Sequence, residues 1–375
     1  MAGIYVHVPF CRKACHYCNF HFSTSTKYLN DFVAALLKEI DLQKHYLKQP
    51  VTTLYFGGGT PSLLPAESLK TILNAIHQNF DTSTLTETTL EANPDDVTLE
   101  KLQDWKSLGI NRLSIGVQSF FNEDLVWMNR AHNAKQAINC IHLAKQQGFD
   151  NITIDLIYGT PTLSDAAWQH NLQMASDLQI PHLSCYALTV EPRTALDTMI
   201  IQKKVQGVDP DKQARHFNML QQFATHAGFE QYEISNFAKP GFRSRHNSSY
   251  WQGIPYLGLG PSAHSFNGVS RQWNVANNAL YVENINNGVI PFEIELLTPQ
   301  QRLNEYIMTS LRTSEGIDLL YLHKHFGDGN KQAVMEASTP HIKNETAQIA
   351  GNFLQLTIKG KFLADGIAAD LFQLS

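Results

Sequence analysis

Short apolar runs rich in Val, Ile and Tyr alternate with amphipathic helical stretches through the first two-thirds of the chain. This alternation limits the possible folds more than any other feature. The strand-like runs are IYVHV (4–8), VTTLYF (51–56), TTLE (88–91), RLSIGV (112–117), ITIDLIY (152–158) and HLSCYAL (182–188), with QYEIS (231–235) a further candidate. Between the first two, apolar residues fall at Tyr28, Phe32, Leu36 and Ile40, which is one face of a helix. VTLEKLQDWKSLG reads as a helix that stops at Gly109, the residue type suited to a helix end. Strands that alternate with helices pair in parallel. The expected fold class is α/β: a partial or full TIM-type (β/α) barrel, with an open doubly wound sheet as the alternative.

Residues able to do chemistry recur at the ends of these strands. A cysteine loop follows the first, GGGTPS the second, Glu91 ends the third, Gln118 the fourth, and Asp155 and Tyr158-Gly159 close the fifth. Loops at the C-terminal strand ends of βα folds converge on one mouth, which favours the barrel. The pattern changes near residue 295. A helix, a turn at Glu315-Gly316 and a second helix precede an expected hairpin, turning at Lys359-Gly360, and a final helix. The expected organisation is a barrel core over 1–235, a connecting segment with HNSSYW over 236–294, and a small helical, winged-helix-like domain over 295–375.

With 375 residues, the chain exceeds what one core usually supports. Net charge is −5 with no long basic run, which argues against a nucleic-acid surface. No apolar run approaches the ~20 residues of a membrane span, and the opening MAGIYVHVPFC lacks a signal-peptide pattern. Five cysteines, an odd number with three crowded together, do not suit a disulfide framework. The expected compartment is the reducing cytoplasm.

Cys11, Cys15 and Cys18 are separated by three and two residues. Clustered thiolates bind soft metals. Three readings stay open on the residues themselves. Zinc would take the three thiols with His16 or His21. A [4Fe–4S] cluster would leave one iron without a protein ligand. The thiols would otherwise be uncoordinated. Cys140, in INCIHLAK, reads as core.

CxxxCxxC directly after a first strand resembles the radical S-adenosylmethionine (SAM) superfamily. YVHVPFCRKACHYCNF, YFGGGTPSLL, LEANPDD, NRLSIGVQSF, MNRAH and DLIYGTP together resemble its coproporphyrinogen III dehydrogenase-related branch, across nearly the whole chain. The resemblance implies that Cys11, Cys15 and Cys18 hold a [4Fe–4S] cluster whose fourth iron is chelated by the methionine amine and carboxylate of SAM. It implies that Gly58, Gly59 and Thr60, after Gly57, approach the methionine end of SAM, and that Glu91 accepts hydrogen bonds from its ribose hydroxyls. It implies that Tyr5 and Tyr17 flank the cluster, and Gln118, Arg130 and Asp155 match further positions that contact SAM in the family. Plainer readings stand beside these: a turn for the glycines, core packing for the tyrosines, a solvated carboxylate for Glu91 and a surface guanidinium for Arg130.

Dehydrogenases of the branch carry CxxxCxxCxC and an extension before the first strand. Here Phe20 stands where the last cysteine would be, and Tyr5 is close to the start. HNSSYW (246–251) resembles the HNxxYW motif of haem chaperones in the branch. That resemblance implies a haem chaperone, passing haem to an acceptor protein such as a membrane-bound respiratory cytochrome touched only peripherally. It makes His246 or Tyr250 a candidate iron ligand, since both residue types serve there, and Trp251 a candidate stacking partner. His264 and Cys185 are rivals for the iron. The alternatives are oxidative decarboxylation of coproporphyrinogen III with SAM as radical source, and a zinc-binding barrel without radical chemistry.

Overall fold

The computed structural model describes residues 1–373. The apolar runs form strands β1 (Ala2–Val8), β2 (Val51–Gly58), β3 (Glu87–Ala92), β4 (Arg112–Gln118), β5 (Ile152–Tyr158) and β6 (His182–Ala187), mostly separated by helices. Their side chains alternate as the pleat requires. Ile4, Val6 and Val8 are fully buried in one core with Phe32, Leu36 and Ile40 of helix Leu29–Leu42. Tyr28, expected on that same face, is the exposed residue before the helix. Tyr5 and His7 point the other way, into the concave interior, where the polar groups collect.

Strands β1 to β6 pair in sequence order, all parallel. The sheet then turns antiparallel. Residues 231–235, expected as another strand of the βα series, contribute to β7 (Glu230–Glu233), which pairs with β8 (Asn236–Ala238), and β8 runs antiparallel to β6. The segment after residue 238 supplies four strands to the other flank: β9 (Tyr256–Leu259), β10 (His264–Phe266), β11 (Ser270–Asn274) and β12 (Phe292–Leu296). Strand β9 lies parallel to β1, and β10 to β12 follow as antiparallel neighbours. Strands β12 and β7 are the two edges of this twelve-stranded sheet. The barrel is therefore partial, not full.

Helix Arg245–Trp251, which carries HNSSYW, fills the floor of the partial barrel. The backbone N–H groups of Arg245 and His246 donate to the Glu87 carboxylate at 3.0 and 2.9 Å. A carboxylate at a helix N-terminus meets the positive end of the helix dipole. Arg112, 1% exposed, lies 4.0 Å from the same carboxylate and bonds Thr153.

A second core gathers Leu303, Ile307, Leu322, Val334, Leu354 and Ile367. It lies between helix Pro299–Leu311, the helical span Leu319–Lys343 and a sheet of β13 (Ile317–Asp318), β14 (Ala347–Ala350) and β15 (Phe353–Leu356). The helical span breaks at Gly327, whose φ of 87° is left-handed. The hairpin turns at Gly351-Asn352, not at Lys359-Gly360; the latter pair sits in a one-turn helix where Gly360 packs on the Thr346 carbonyl. Arg312 joins this unit to the barrel through Glu233 at 2.9 Å. Among the described residues, no helix is long and apolar enough to cross a membrane.

Candidate cofactor-binding site

The loop after β1 places three free thiols at the C-terminal mouth of the barrel. Its path is set by backbone bonds from Cys11 to Ser23 (3.0 Å) and from His16 to Met128 (3.2 Å), and by an ion pair of Arg12 with buried Asp96 at 2.6 Å. The thiols border a cavity of about 440 Å³ together with Tyr17, Gly58, Gly59, Thr60, Glu91, Gln118, Arg130 and Asp155. The three cysteines and eight of the nine other residues expected around the cluster and SAM thus meet in one place. Tyr5 does not border it. That ring lies against Tyr55, centroids 6.0 Å apart, and its hydroxyl donates to His7 Nδ1 at 3.2 Å.

Arg130 is drawn inside. One amino group donates to Cys15 Sγ at 3.3 Å and Tyr17 Oη at 3.4 Å. The other donates to Asn93 Oδ1 and the Gly116 carbonyl, both at 2.8 Å. Thr60 donates to Cys11 Sγ at 3.5 Å, and burial pushes the Cys11 thiol up to about 11. Sequence reasoning overlooked Asn93, Gly116 and the Arg12–Asp96 pair. The first had a visible signal, standing two residues after Glu91 and just before a proline.

Each glycine of GGGTPS has a steric cause within the chain. A Cβ at Gly57 would strike the Tyr5 and Tyr55 rings, and Gly58 has a φ of 107°. A Cβ at Gly59 would lie 2.6 Å from the Phe10 carbonyl and 2.9 Å from that of Val8. Both obstacles are backbone of the strand and loop that lead to Cys11. Gly59→Ala is expected to cost about 1–3 kcal/mol through overpacking and to lower iron occupancy, read from urea midpoints and iron content. Unchanged values in both would show that the loop yields freely.

Glu91 accepts from Tyr55 Oη at 2.8 Å and from the Gly58 N–H at 3.1 Å. Burial, reinforced by Asp155, pushes its carboxyl up to about 8. An unfolded glutamate titrates near ~4.3. The folded chain without cofactors therefore keeps a proton over that interval which the unfolded chain has released. Stability from this group is full below about pH 4 and declines as pH rises towards 8. Glu91→Gln removes the decline, measured as urea midpoints at about pH 5, 7 and 9. Parallel wild-type and variant profiles would contradict it.

His16 and His21 point away from the thiols. His16 Nδ1 donates to the Trp127 carbonyl at 2.8 Å, and His21 Nε2 donates to Asn278 Oδ1 at 2.7 Å. Among the described residues, no three His, Cys, Asp or Glu side chains converge on a point that a single ion would fill. An iron–sulfur cube binds each thiolate at a separate iron, so thiols ringing a wider opening suit it.

His246 is fully buried in the floor, and both its nitrogens are engaged. Nδ1 pairs with Thr53 Oγ1 at 2.9 Å and Nε2 with Tyr250 Oη at 2.8 Å, while the ring stacks on Tyr55 with centroids 5.0 Å apart. Burial, with Arg112 nearby, lowers its pKa to about 3. This placement leaves His246 no free nitrogen for an iron, and it ties up the Tyr250 hydroxyl as well. Cys185 is 2% exposed.

A partial (β/α) barrel with three spaced thiols at its mouth defines a radical SAM protein, and residues 5–175 match the Radical SAM superfamily model. The Heme chaperone HemW of Bacillus subtilis (strain 168) is 32% identical over 376 residues, covering 98% of each chain. That of Mycobacterium tuberculosis (strain ATCC 25618 / H37Rv) is 33% identical over 375 residues, covering 98% of this chain and 94% of that one. The chain belongs to the HemW family. Coproporphyrinogen III oxidase (HemN) from Escherichia coli, a radical SAM enzyme, shares the fold, with a TM-score of 0.85 and 22% identity over 99% of this chain and 90% of that one.

Proposed function

We propose that this chain is a haem chaperone that binds a [4Fe–4S] cluster, SAM and haem, and passes haem to an acceptor such as a respiratory cytochrome. The observation that carries the cofactor part is the meeting of Cys11, Cys15, Cys18, Arg130 and Glu91 around one cavity. The donor set fits the groups: soft thiolates for iron, the Glu91 carboxyl group for hydroxyls and a guanidinium against the anionic charge of the thiolates. Cys11, Cys15 and Cys18 would hold the cluster. Arg130 fixes the Cys15 sulfur, and Glu91 is held on the wall by Tyr55 and Gly58. Bound in this family's manner, cluster and SAM together supply one-electron chemistry. The haem part rests on the HemW relatives and on Phe20, which lies 67% exposed at the rim in place of the dehydrogenases' last cysteine.

The test is purification without oxygen, quantitation of iron and sulfide, and titration with ferric haem followed by the Soret band. The proposal expects a brown protein whose spectrum responds to SAM and which binds haem saturably. A colourless protein ends the cluster reading, and absence of saturable haem binding ends the chaperone reading. Turnover of coproporphyrinogen III to protoporphyrinogen with SAM would favour the dehydrogenase instead.

A further inference from the structure

We propose that haem is carried in a second, larger cavity, between strands β9 to β11 and the C-terminal unit, with His264 as its iron ligand. The inference rests on the haem-chaperone reading and gives it a location. The cavity measures about 980 Å³ and shares no bordering residue with the thiol cavity. That is the upper end of the ~300–1,000 Å³ typical of small-molecule sites, room enough for a tetrapyrrole.

Its walls suit a flat, apolar ring. Tyr250, Tyr256 and Phe266 form the barrel side, with Tyr250 edge-on to Tyr256 at 4.6 Å and Phe266 6.2 Å from Tyr256. Tyr306 and Phe326, 5.8 Å apart, form the C-terminal side. Aromatic faces and edges on both sides match the stacking preferences of a macrocycle. Trp251 borders the same space, and its indole N–H is buried without a partner among the described residues.

Three histidines compete for the iron, and their surroundings separate them. His246 is sealed in the floor as described. His325 borders the cavity, but it lies flat on Tyr321 at 3.8 Å and its Nδ1 donates to the Tyr321 carbonyl. His264 opens to the cavity from β10, and among the described residues no hydrogen bond reaches either of its ring nitrogens. Its ring is held on Trp273, centroids 6.0 Å apart at 29°. A side chain at Gly258 would collide with the His264 carbonyl, so that glycine lets the histidine strand approach β9. The haem carboxylates then find Arg302 at the edge of the cavity, which has no ion pair among the described residues, while Arg271 is tied to Glu305 at 3.0 Å.

The test is ferric haem titrated into the full chain, followed by the Soret band and resonance Raman. Wild type is expected to bind saturably with the signature of a histidine ligand. His264→Ala is expected to bind at least about tenfold more weakly, since even outer partners of metal ligands cost that much, and to regain the signature when free imidazole is added. Thr309→Trp, which fills the slot from the C-terminal side, is expected to weaken binding without removing the ligand. Wild-type affinity and spectrum in both variants would overturn this location while leaving haem carriage standing. No saturable binding by wild type would overturn haem carriage itself.

Discussion

Cys15→Ser is expected to strip the barrel mouth of the iron that the proposed cluster would hold there. Wild type should hold about four irons and four sulfides per chain as a [4Fe–4S] cluster, and the variant less than about one of each. Serine oxygen is a harder, more basic donor than thiolate and suits iron–sulfur chemistry poorly. Cys15 is also the thiol whose sulfur takes the Arg130 guanidinium, at 3.3 Å, so its loss removes both a ligand and the contact that orients it. Arg130→Met is the informative companion. It keeps all three thiols but deletes the donors to Cys15, Tyr17, Asn93 and Gly116. Partial iron with intact helical circular dichroism is expected there. Full iron in Cys15→Ser would place the metal somewhere else.

The second large effect lies in the floor. Glu87→Ala should cost about 3–5 kcal/mol, the loss expected when one member of a buried charged pair is deleted. Glu87 and Arg112 are 3% and 1% exposed. Removing the carboxylate leaves the guanidinium without its anion and orphans the N–H groups of Arg245 and His246. Glu87→Gln keeps an acceptor of the same shape and should lose distinctly less. Urea unfolding of both variants at neutral pH measures the difference. A Glu87→Ala loss below about 1 kcal/mol would mean that the helix holds its place without the carboxylate.

The parallel strands were legible because each is a β-branched or aromatic run flanked by helical periodicity. The thiol site was legible because the fold delivers strand ends to one mouth, and the motifs sit on those ends. Arg130 was legible only through its motif frame; its partners Asn93 and Gly116 lie on other strand ends, joined by tertiary folding. Strands β9 to β12 escaped notice because they are short and carry polar residues such as His264, Gln272 and Glu293. The burial of His246 depends on Thr53 and Glu87, 193 and 159 residues away, and no local pattern reports a contact of that span. The hairpin turn moved from Lys359-Gly360 to Gly351-Asn352 because both are glycine positions beside polar residues near the end of the chain. Only one of them has the left-handed φ, 60° at Gly351, that a tight reversal uses.

The floor helix has a bearing on how the chain matures. The bonds from Glu87 to residues 244–246 span more than 150 positions, and β1 is enclosed on its far side only when β9 arrives at residue 256. Ribosomal synthesis delivers ~5–20 residues per second, so the nascent barrel spends many seconds with a charged pair and one flank of its first strand uncovered. Such long-range closure slows folding. A fragment ending near residue 240 would leave the ribosome with its lumen unplugged, in the condition that molecular chaperones bind.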